Sequence, residues 1–300
     1  MITNQQFEGS FVALGTFDGL HIGHKAVITA EKSQYERKIA LMFKQHPRSE
    51  TNGEAPCTLI TPQYERELLF TWGVEPVYLD FCDICDMSPE EFVDKILVDK
   101  LNAKSIACGF NYRFGKGAAG DVQSLMSLCM EREIKLTVVD KIEYKDEPVS
   151  STRIREAVKN GDMRSATAML GRYFAYDFEV LHGDERGRTL GSPTINQFFT
   201  PDFQEPEFGV YASFTDVDGK VYPSVTNVGI RPTIGNSEKR SETNIIGYHG
   251  DLYGQCPRVF LVEKIRGEMN FGSLDELKNR IFADKETALT ILKGENFCEF

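Results

Sequence analysis

The hydrophobic pattern changes character about halfway along the chain. In the first half, short apolar runs alternate with stretches where apolar residues recur every three or four positions. The runs at 11–14, 39–43, 76–81, 105–108 and 136–139 read as buried strands. The stretches at 25–37, 61–72, 89–101 and 122–132 read as helices between them; in the last, Leu125, Leu128 and Cys129 share a face. Repeated β–α alternation predicts a parallel sheet with helices on both faces.

A further helical stretch opens at Thr152, breaks at Asn160-Gly161-Asp162, resumes over 163–170 and stops at Gly171, a suitable C′ residue. Beyond it the texture turns β-rich, with runs at 174–181, 209–217, 220–228, 243–248 and 258–264. Asp218-Gly219 suits a hairpin turn between two of these runs. Many short strands with frequent turns suggest a small closed barrel. The end of the chain reads as helical, with Ser273 as N-cap and Leu274, Leu277 and Ile281 as an apolar stripe. The change of texture places a domain boundary near 171–183, giving domains 1–171 and 172–300.

Composition narrows the function classes. A length of 300 residues favours two domains, and 41% hydrophobic with 26% charged residues suffices for two cores. A net charge of −11 argues against nucleic acid as a partner and means that any phosphate ligand needs a local cationic pocket. No apolar run is long enough to span a membrane, and the first residues carry no basic-then-apolar signal pattern. Seven scattered cysteines fit reduced thiols in the cytoplasm. The expected partners are small molecules, with no nucleic acid and no membrane, and the chain is expected to be a monomer or weak homo-oligomer. Cys82 and Cys85 have C-x-x-C spacing, but Asp83 and Asp86 beside them disfavour a thiolate, and no second ligand pair for zinc accompanies them.

The candidate chemistry starts at Gly15-Thr16-Phe17-Asp18-Gly19-Leu20-His21-Ile22-Gly23-His24. A strand, a Gly-rich turn and a helix start in that order aim backbone N–H groups at one point, which suits an anion. His21 and His24 lie three apart on one helix face, and Lys25 adds a cation. Cations in a first helical turn oppose the helix dipole, a conflict that a bound phosphate would relieve. Ser150-Ser151-Thr152-Arg153-Ile154-Arg155 repeats the theme at a second helix start. Gly115, Gly117 and Gly120 spell G-x-G-x-x-G, with Asp140 following; on paper that is a dinucleotide fingerprint. Asn111, Tyr112 and Arg113 separate those glycines from the strand, which favours a strand end presenting Asn111 and Arg113 instead. In the second half, Gly191-Ser192-Pro193-Thr194-Ile195-Asn196 puts two hard oxygen donors, Thr194 and Asn196, on one side of an extended chain, as Mg²⁺ bound with substrate phosphates requires. Glu242 is a candidate base. No P-loop motif is present.

Together these motifs resemble the bifunctional prokaryotic riboflavin kinase/FMN adenylyltransferase (FAD synthetase) family over nearly the whole chain. Residues 15–24 resemble its G-x-F-D-G-x-H-x-G-H, 109–115 its G-x-[ND]-[FY]-x-F-G, and 150–155 its S-S-T-x-I-R. Residues 188–196 resemble R-x-L-G-F-P-T-A-N, and 225–233 resemble V-T-N-I-G-x-R-P-T. Ser192, Ile195, Gln197, Asn244 and Gly247 depart from the usual Phe, Ala, Leu, His and Asp, and Lys44-Gln45-His46-Pro47 keeps only the family's H-P.

The resemblance implies a Rossmann-like nucleotidyltransferase domain of the HxGH class followed by a small β-barrel riboflavin kinase domain with C-terminal helices. It implies Mg²⁺, ATP as co-substrate, and FMN and FAD as substrate or products. His21 and His24 would stabilise charge on the α-phosphate. Gly15, Phe17, Asp18, Gly23, Asn111, Arg113, Ser151, Thr152 and Arg155 would bind nucleotide and phosphates in the first site, and Gly191 and Pro193 in the second. Thr194 and Asn196 would hold the metal, and Glu242 would be the kinase base. Two alternatives stand beside this reading: an NAD-dependent oxidoreductase, and a flavin-binding regulatory protein with an inactive kinase barrel.

Overall fold

The computed structural model describes residues 7–32, 35–45, 55–182, 193–233, 236–295 and 297, with backbone alone over 231–238. His46, Pro47, Arg188, Gly191 and Ser192 lie outside the described residues. The chain forms two compact units: Met1–Pro56 with Pro62–Ser150, and Cys57–Thr61 with Ser151–Phe300.

The first unit is built on β1 (Phe7–Leu14), β2 (Tyr35–Phe43), β3 (Glu75–Leu79), β4 (Ala103–Gly109) and β5 (Lys135–Val139). All pair in parallel, in the order β3-β2-β1-β4-β5. The five apolar runs are all strands. Val12, Ile39 and Ile106 are fully buried, as strands covered on both faces should be. The helices are α1 (Ile22–Ile28), α2 (Pro62–Thr71), α3 (Pro89–Glu91, continued by a wider-wound stretch Phe92–Lys100) and α4 (Val122–Glu131). Ser88 and Glu91 form a capping box at the start of α3. A hairpin, β6 (Glu143–Tyr144) with β7 (Glu147–Pro148), completes the unit.

Helix α1 is much shorter than its pattern suggested. The Thr29 hydroxyl donates to the Lys25 carbonyl (2.7 Å) at its end. Glu31 is then buried, accepting from the Ser105 hydroxyl (2.9 Å) and the Lys135 ammonium (2.8 Å). By Tyr35 the chain already pairs with β1. A buried carboxylate needs such partners, and their location outweighs helical periodicity.

The second unit contains α5 (Ser151–Lys159), α6 (Met163–Leu170) and the antiparallel strands β8 (Phe174–Tyr176), β9 (Val180–Leu181), β10 (Ile195–Phe198), β11 (Gly209–Val217), β12 (Lys220–Thr233), β13 (Asn236–Ile245) and β14 (Arg258–Arg266). Gly171 closes α6 in a left-handed conformation, φ 72°. Asp218 and Gly219 both have positive φ, which makes the expected hairpin turn.

The ladder runs β8-β14-β11-β12-β13-β10-β9. Its end strands, β8 and β9, are joined by residues 177–179 alone. Four residue steps span at most about 14 Å, whereas the outer strands of a flat seven-stranded sheet stand about 29 Å apart. The sheet therefore curls. Among the described residues β8 and β9 do not pair, so the expected closed barrel is a curled half-barrel.

Helix α7 (Leu274–Lys293) is one helix, capped by Ser273, and packs on β11, β12 and β14. Its buried positions are Asp284, Ala288 and Leu292. Leu274 is exposed, so the expected stripe is shifted along the helix. Asp284 can be buried because Arg266 (2.8 Å) and Arg280 (3.0 Å) pair with it.

The compact division falls at Ser150/Ser151, earlier than the change of texture. The helical pair α5–α6 packs with the curled sheet: α6 lies against β14 and β8, and the Glu207 amide donates to the Val158 carbonyl (3.2 Å).

Candidate active sites

In the first unit the chain winds outward from β1 through β2 to β3, then returns to β4 on the other side of β1. The gap between β1 and β4 is thus the switch point where such sheets bind ligands. Leu14 and Cys108 are register partners, so the segments after β1 and β4 leave from adjacent strand ends. The first carries Gly15 to His24, the second Asn111 and Arg113.

Phe17, Gly19 and Leu20 all have positive φ, at 47°, 78° and 46°. Two non-glycine residues in the left-handed region cost backbone energy, which full burial of the Phe17 and Leu20 side chains offsets. A Cβ on Gly15 would lie 2.8 Å from the Phe17 ring, so that residue must be glycine for Phe17 to fold back. His21 caps α1: its Nδ1 accepts from the His24 amide (3.2 Å). An imidazole accepting at Nδ1 carries its proton on Nε2 and presents a donor there. The His21 and His24 rings stack with centroids 3.5 Å apart, and the Phe17 edge meets His24. Lys25 Nζ lies over the Trp72 ring, 5.4 Å from its centroid.

Asp18 has a neighbour that its motif did not reveal. Burial pushes the Glu65 carboxyl up, the Tyr78 hydroxyl that donates to it (2.9 Å) works the other way, and the Asp18 charge adds to the rise. Arg113 faces Asp121 at 3.8 Å, both partly exposed. The glycine stretch is no dinucleotide cradle. Phe114 and Gly120 exchange backbone hydrogen bonds (3.1 and 2.9 Å), closing a loop in which Lys116–Ala118 make a tight turn. Helix α4 begins only afterwards, capped by Asp121 rather than by glycine. The oxidoreductase alternative loses its motif.

Ser151, Thr152 and Arg155 stand on α5, which starts one residue earlier than expected. Arg155 Nε donates to the Cys57 carbonyl (2.7 Å), within the second unit.

The second candidate site lies across three strands. Asn196 on β10 and Glu242 on β13 are register partners, and Asn227 on β12 partners Glu242 from the other side. Directly opposed residues share a face, so all three converge. Thr194 is two residues before Asn196 and half-buried; Asn196 is buried. Their hydroxyl and amide oxygens are hard donors of the kind that suit Mg²⁺. Asn244 Nδ2 donates to the Pro193 carbonyl (2.7 Å), tying the segment that carries Thr194 to β13. Glu242 is paired with Arg240.

Residues 3–153 match the family model for FAD synthetase, and residues 170–292 match that for riboflavin kinase. A bifunctional riboflavin kinase/FMN adenylyltransferase of Bacillus subtilis (strain 168) is 33% identical over 293 residues, covering 93% of this chain and 92% of that protein. One of Escherichia coli (strain K12) is 32% identical over 289 residues, covering 94% and 92%. The chain belongs to the bifunctional riboflavin kinase/FMN adenylyltransferase family. Among solved structures, one described as a macrolide-efflux protein from Streptococcus pneumoniae shares the fold over 95% of this chain and 98% of that one, with TM-score 0.84 and 27% identity. No helix among the described residues is long and apolar enough to cross a membrane.

Two departures from the family pattern have structural partners. Gln197, where Leu is usual, is fully buried, and its amide donates to the Phe178 (2.5 Å) and Pro257 (3.0 Å) carbonyls. Asn244, where His is usual, makes the bond to Pro193. Asn227 lies within the 225–233 motif, which by itself gives it no role, and Arg240 lies in a polar run that looks like an ordinary strand end. The register between β12 and β13 brings Asn227 to Glu242, and Arg240 reaches it from two positions earlier on the same face of β13.

Proposed function

We propose that the chain converts riboflavin to FMN and FMN to FAD, each step using ATP. The observation that carries this reading is the ordered match of both family models. The switch-point histidines and the Asn196–Glu242–Asn227 register support it in the corresponding units.

In the adenylylation step an FMN phosphate oxygen attacks the α-phosphorus of ATP and pyrophosphate leaves. The nucleophile is already an anion, so the protein contributes position and charge stabilisation. His21, donating from Nε2, and His24 stabilise charge growing on the α-phosphate. Gly15, Phe17, Asp18 and Gly23 shape the turn, and Asn111 and Arg113 flank the nucleotide. Ser151, Thr152 and Arg155 hold the pyrophosphate end.

In the kinase step the ribityl 5′-hydroxyl oxygen attacks the γ-phosphorus, its proton passes to Glu242, and ADP leaves. Thr194 and Asn196 would hold Mg²⁺, which would supply neutralisation of phosphate charge. Gly191 and Pro193 frame the phosphates. The functional domains are 1–171 and 172–300, the site of action is the cytoplasm, and the chain acts as a monomer or weak homo-oligomer.

The test is incubation of purified chain with riboflavin and MgATP, separating flavins by chromatography. FMN followed by FAD is the expected result. Bound flavin with no turnover would favour a regulatory protein instead.

A further inference from the structure

Arg240 and Glu242 are two residues apart on β13, so both side chains leave the same face. Arg240 Nη2 pairs with Glu242 Oε1. The pair is largely withdrawn from water, with side-chain exposures of 12% for Arg240 and 32% for Glu242. Arg240 Nη1 is buried and, among the described residues, has no hydrogen-bond acceptor. Among the described residues no hydrogen bond engages Glu242 Oε2. One carboxylate oxygen is therefore occupied and the other is open, with Asn196 on one side and Asn227 on the other.

A glutamate has several rotatable bonds, and an untethered one spreads its carboxylate over many positions. A base must sit within hydrogen-bond reach of the proton that it takes. Arginine is suited to fixing it because its planar fork stays charged at all working pH values and sets direction as well as distance.

We propose that Arg240 is a positioning residue for phosphoryl transfer: by holding Oε1 of Glu242 it turns Oε2 toward the substrate hydroxyl. The inference rests on the reading of Glu242 as the base. Arg240 itself neither touches substrate nor changes protonation. The hydroxyl proton goes to Oε2 as the oxygen–phosphorus bond forms and ADP departs.

The full-length chain tests this with Arg240→Gln, Arg240→Lys, Glu242→Gln and the double variant Arg240→Gln/Glu242→Gln. FMN formation is measured as kcat and KM, FAD formation from FMN serves as internal control, and melting temperature is recorded. Arg240→Gln should lower the kinase kcat about 10–100-fold, the scale of a misplaced catalytic group. Its riboflavin KM should change less than about twofold, as expected when ground-state binding is untouched. FAD formation should be unchanged. Arg240→Lys should recover part of the loss. The double variant should be no slower than Glu242→Gln alone, because both changes act through one carboxylate. Wild-type kinetics in Arg240→Gln, or a double variant that multiplies the two losses, would overturn the positioning role. So would parallel loss of both activities with a lowered melting temperature in Arg240→Gln and Arg240→Lys alike, which would make the pair a fold element. Full kinase activity in Glu242→Gln would bring down the reading of the base, and the inference with it; loss there with an intact Arg240→Gln overturns the inference alone.

Discussion

Asn196 and Glu242 face each other across the β10–β13 ladder as direct register partners. An amide suited to a metal and a carboxylate suited to a proton are thereby neighbours on one face, although 46 positions separate them in sequence. The antiparallel register of β10 on β13, from Ile195↔Thr243 to Phe198↔Arg240, fixes this relation.

Glu242→Gln should abolish riboflavin phosphorylation and spare FMN adenylylation. Glutamine keeps the shape but cannot take the proton, and losing a general base costs about 10²–10⁴ in rate. Riboflavin in one tube and FMN in another, each with MgATP, separate the outcomes. Unchanged FMN production would remove Glu242 from the mechanism.

His24→Ala should lower FAD formation by about 10²–10³, the usual loss for one group that stabilises transition-state charge. The fold should survive, because the His21 cap accepts from the backbone amide of residue 24, which alanine retains. FMN formation from riboflavin is the control. A near-normal rate of FAD formation from FMN would show that the histidine stack is not the adenylylation site.

Periodicity showed all five parallel strands because buried strands of a doubly covered sheet are apolar without interruption. It missed the reach of the β12–β13 hairpin, since residues 236–242 are all polar and carry no apolar strand signal. It overextended α1 because Glu31, whose partners Ser105 and Lys135 are distant in sequence, decides where that helix ends. Motif spacing made candidates of His21, His24, Thr194, Asn196 and Glu242; the structure stacks the first two and sets Asn196 opposite Glu242. Spacing gave no role to Asn227, although the 225–233 motif includes it, or to Arg240; strand register sets the first beside Glu242, and the two-residue repeat of β13 sets the second there.

A fragment of residues 151–300 should be more stable than one of 172–300. Ile154, Val158, Ala166 and Met169 are buried in α5 and α6, and removal of those helices uncovers the faces of β8 and β14. Each large buried side chain is worth about 1.5–3 kcal/mol, so the shorter fragment loses several such contributions. Thermal melts by circular dichroism compare the two. Equal melting temperatures would show that the helical pair is dispensable to the curled sheet.

Glu295 should make stability depend on pH. The Tyr173 hydroxyl donates to it (2.6 Å) and Arg164 pairs with it, which together hold its carboxyl below the ordinary glutamate value. A carboxyl whose folded value is depressed stabilises the fold above its unfolded value, and that stabilisation disappears as pH falls through the folded value. Glu295→Gln should therefore cost roughly 1–2 kcal/mol near neutral pH, in line with hydrogen bonds to charged groups. Urea titrations should show the gap to wild type narrowing as pH is lowered past about 4, the ordinary glutamate range. A gap independent of pH would mean that the carboxylate's charge contributes nothing.

Asn244→Ala should weaken the kinase step through the metal rather than through the flavin. Asn244 is buried, and its amide donates to the Pro193 carbonyl immediately before Thr194. That bond holds the carbonyl just before Thr194 against β13, so its loss loosens Thr194 relative to Asn196, which stays paired with Glu242. A hard-cation site depends on the spacing of its oxygen donors, so Mg²⁺ should be needed at higher concentration while saturating Mg²⁺ restores most of the rate. The expected result is a rise of about tenfold in the Mg²⁺ concentration for half-maximal FMN formation, in line with loss of a residue that orients a metal ligand. FAD formation from FMN should be unaffected. Asn244→His, which installs the family's usual residue, distinguishes a positional need from a chemical one. An imidazole that can still donate to Pro193 should keep the wild-type Mg²⁺ requirement. If alanine leaves that requirement unchanged, the bond to Pro193 is incidental and Thr194 is positioned from its other flank.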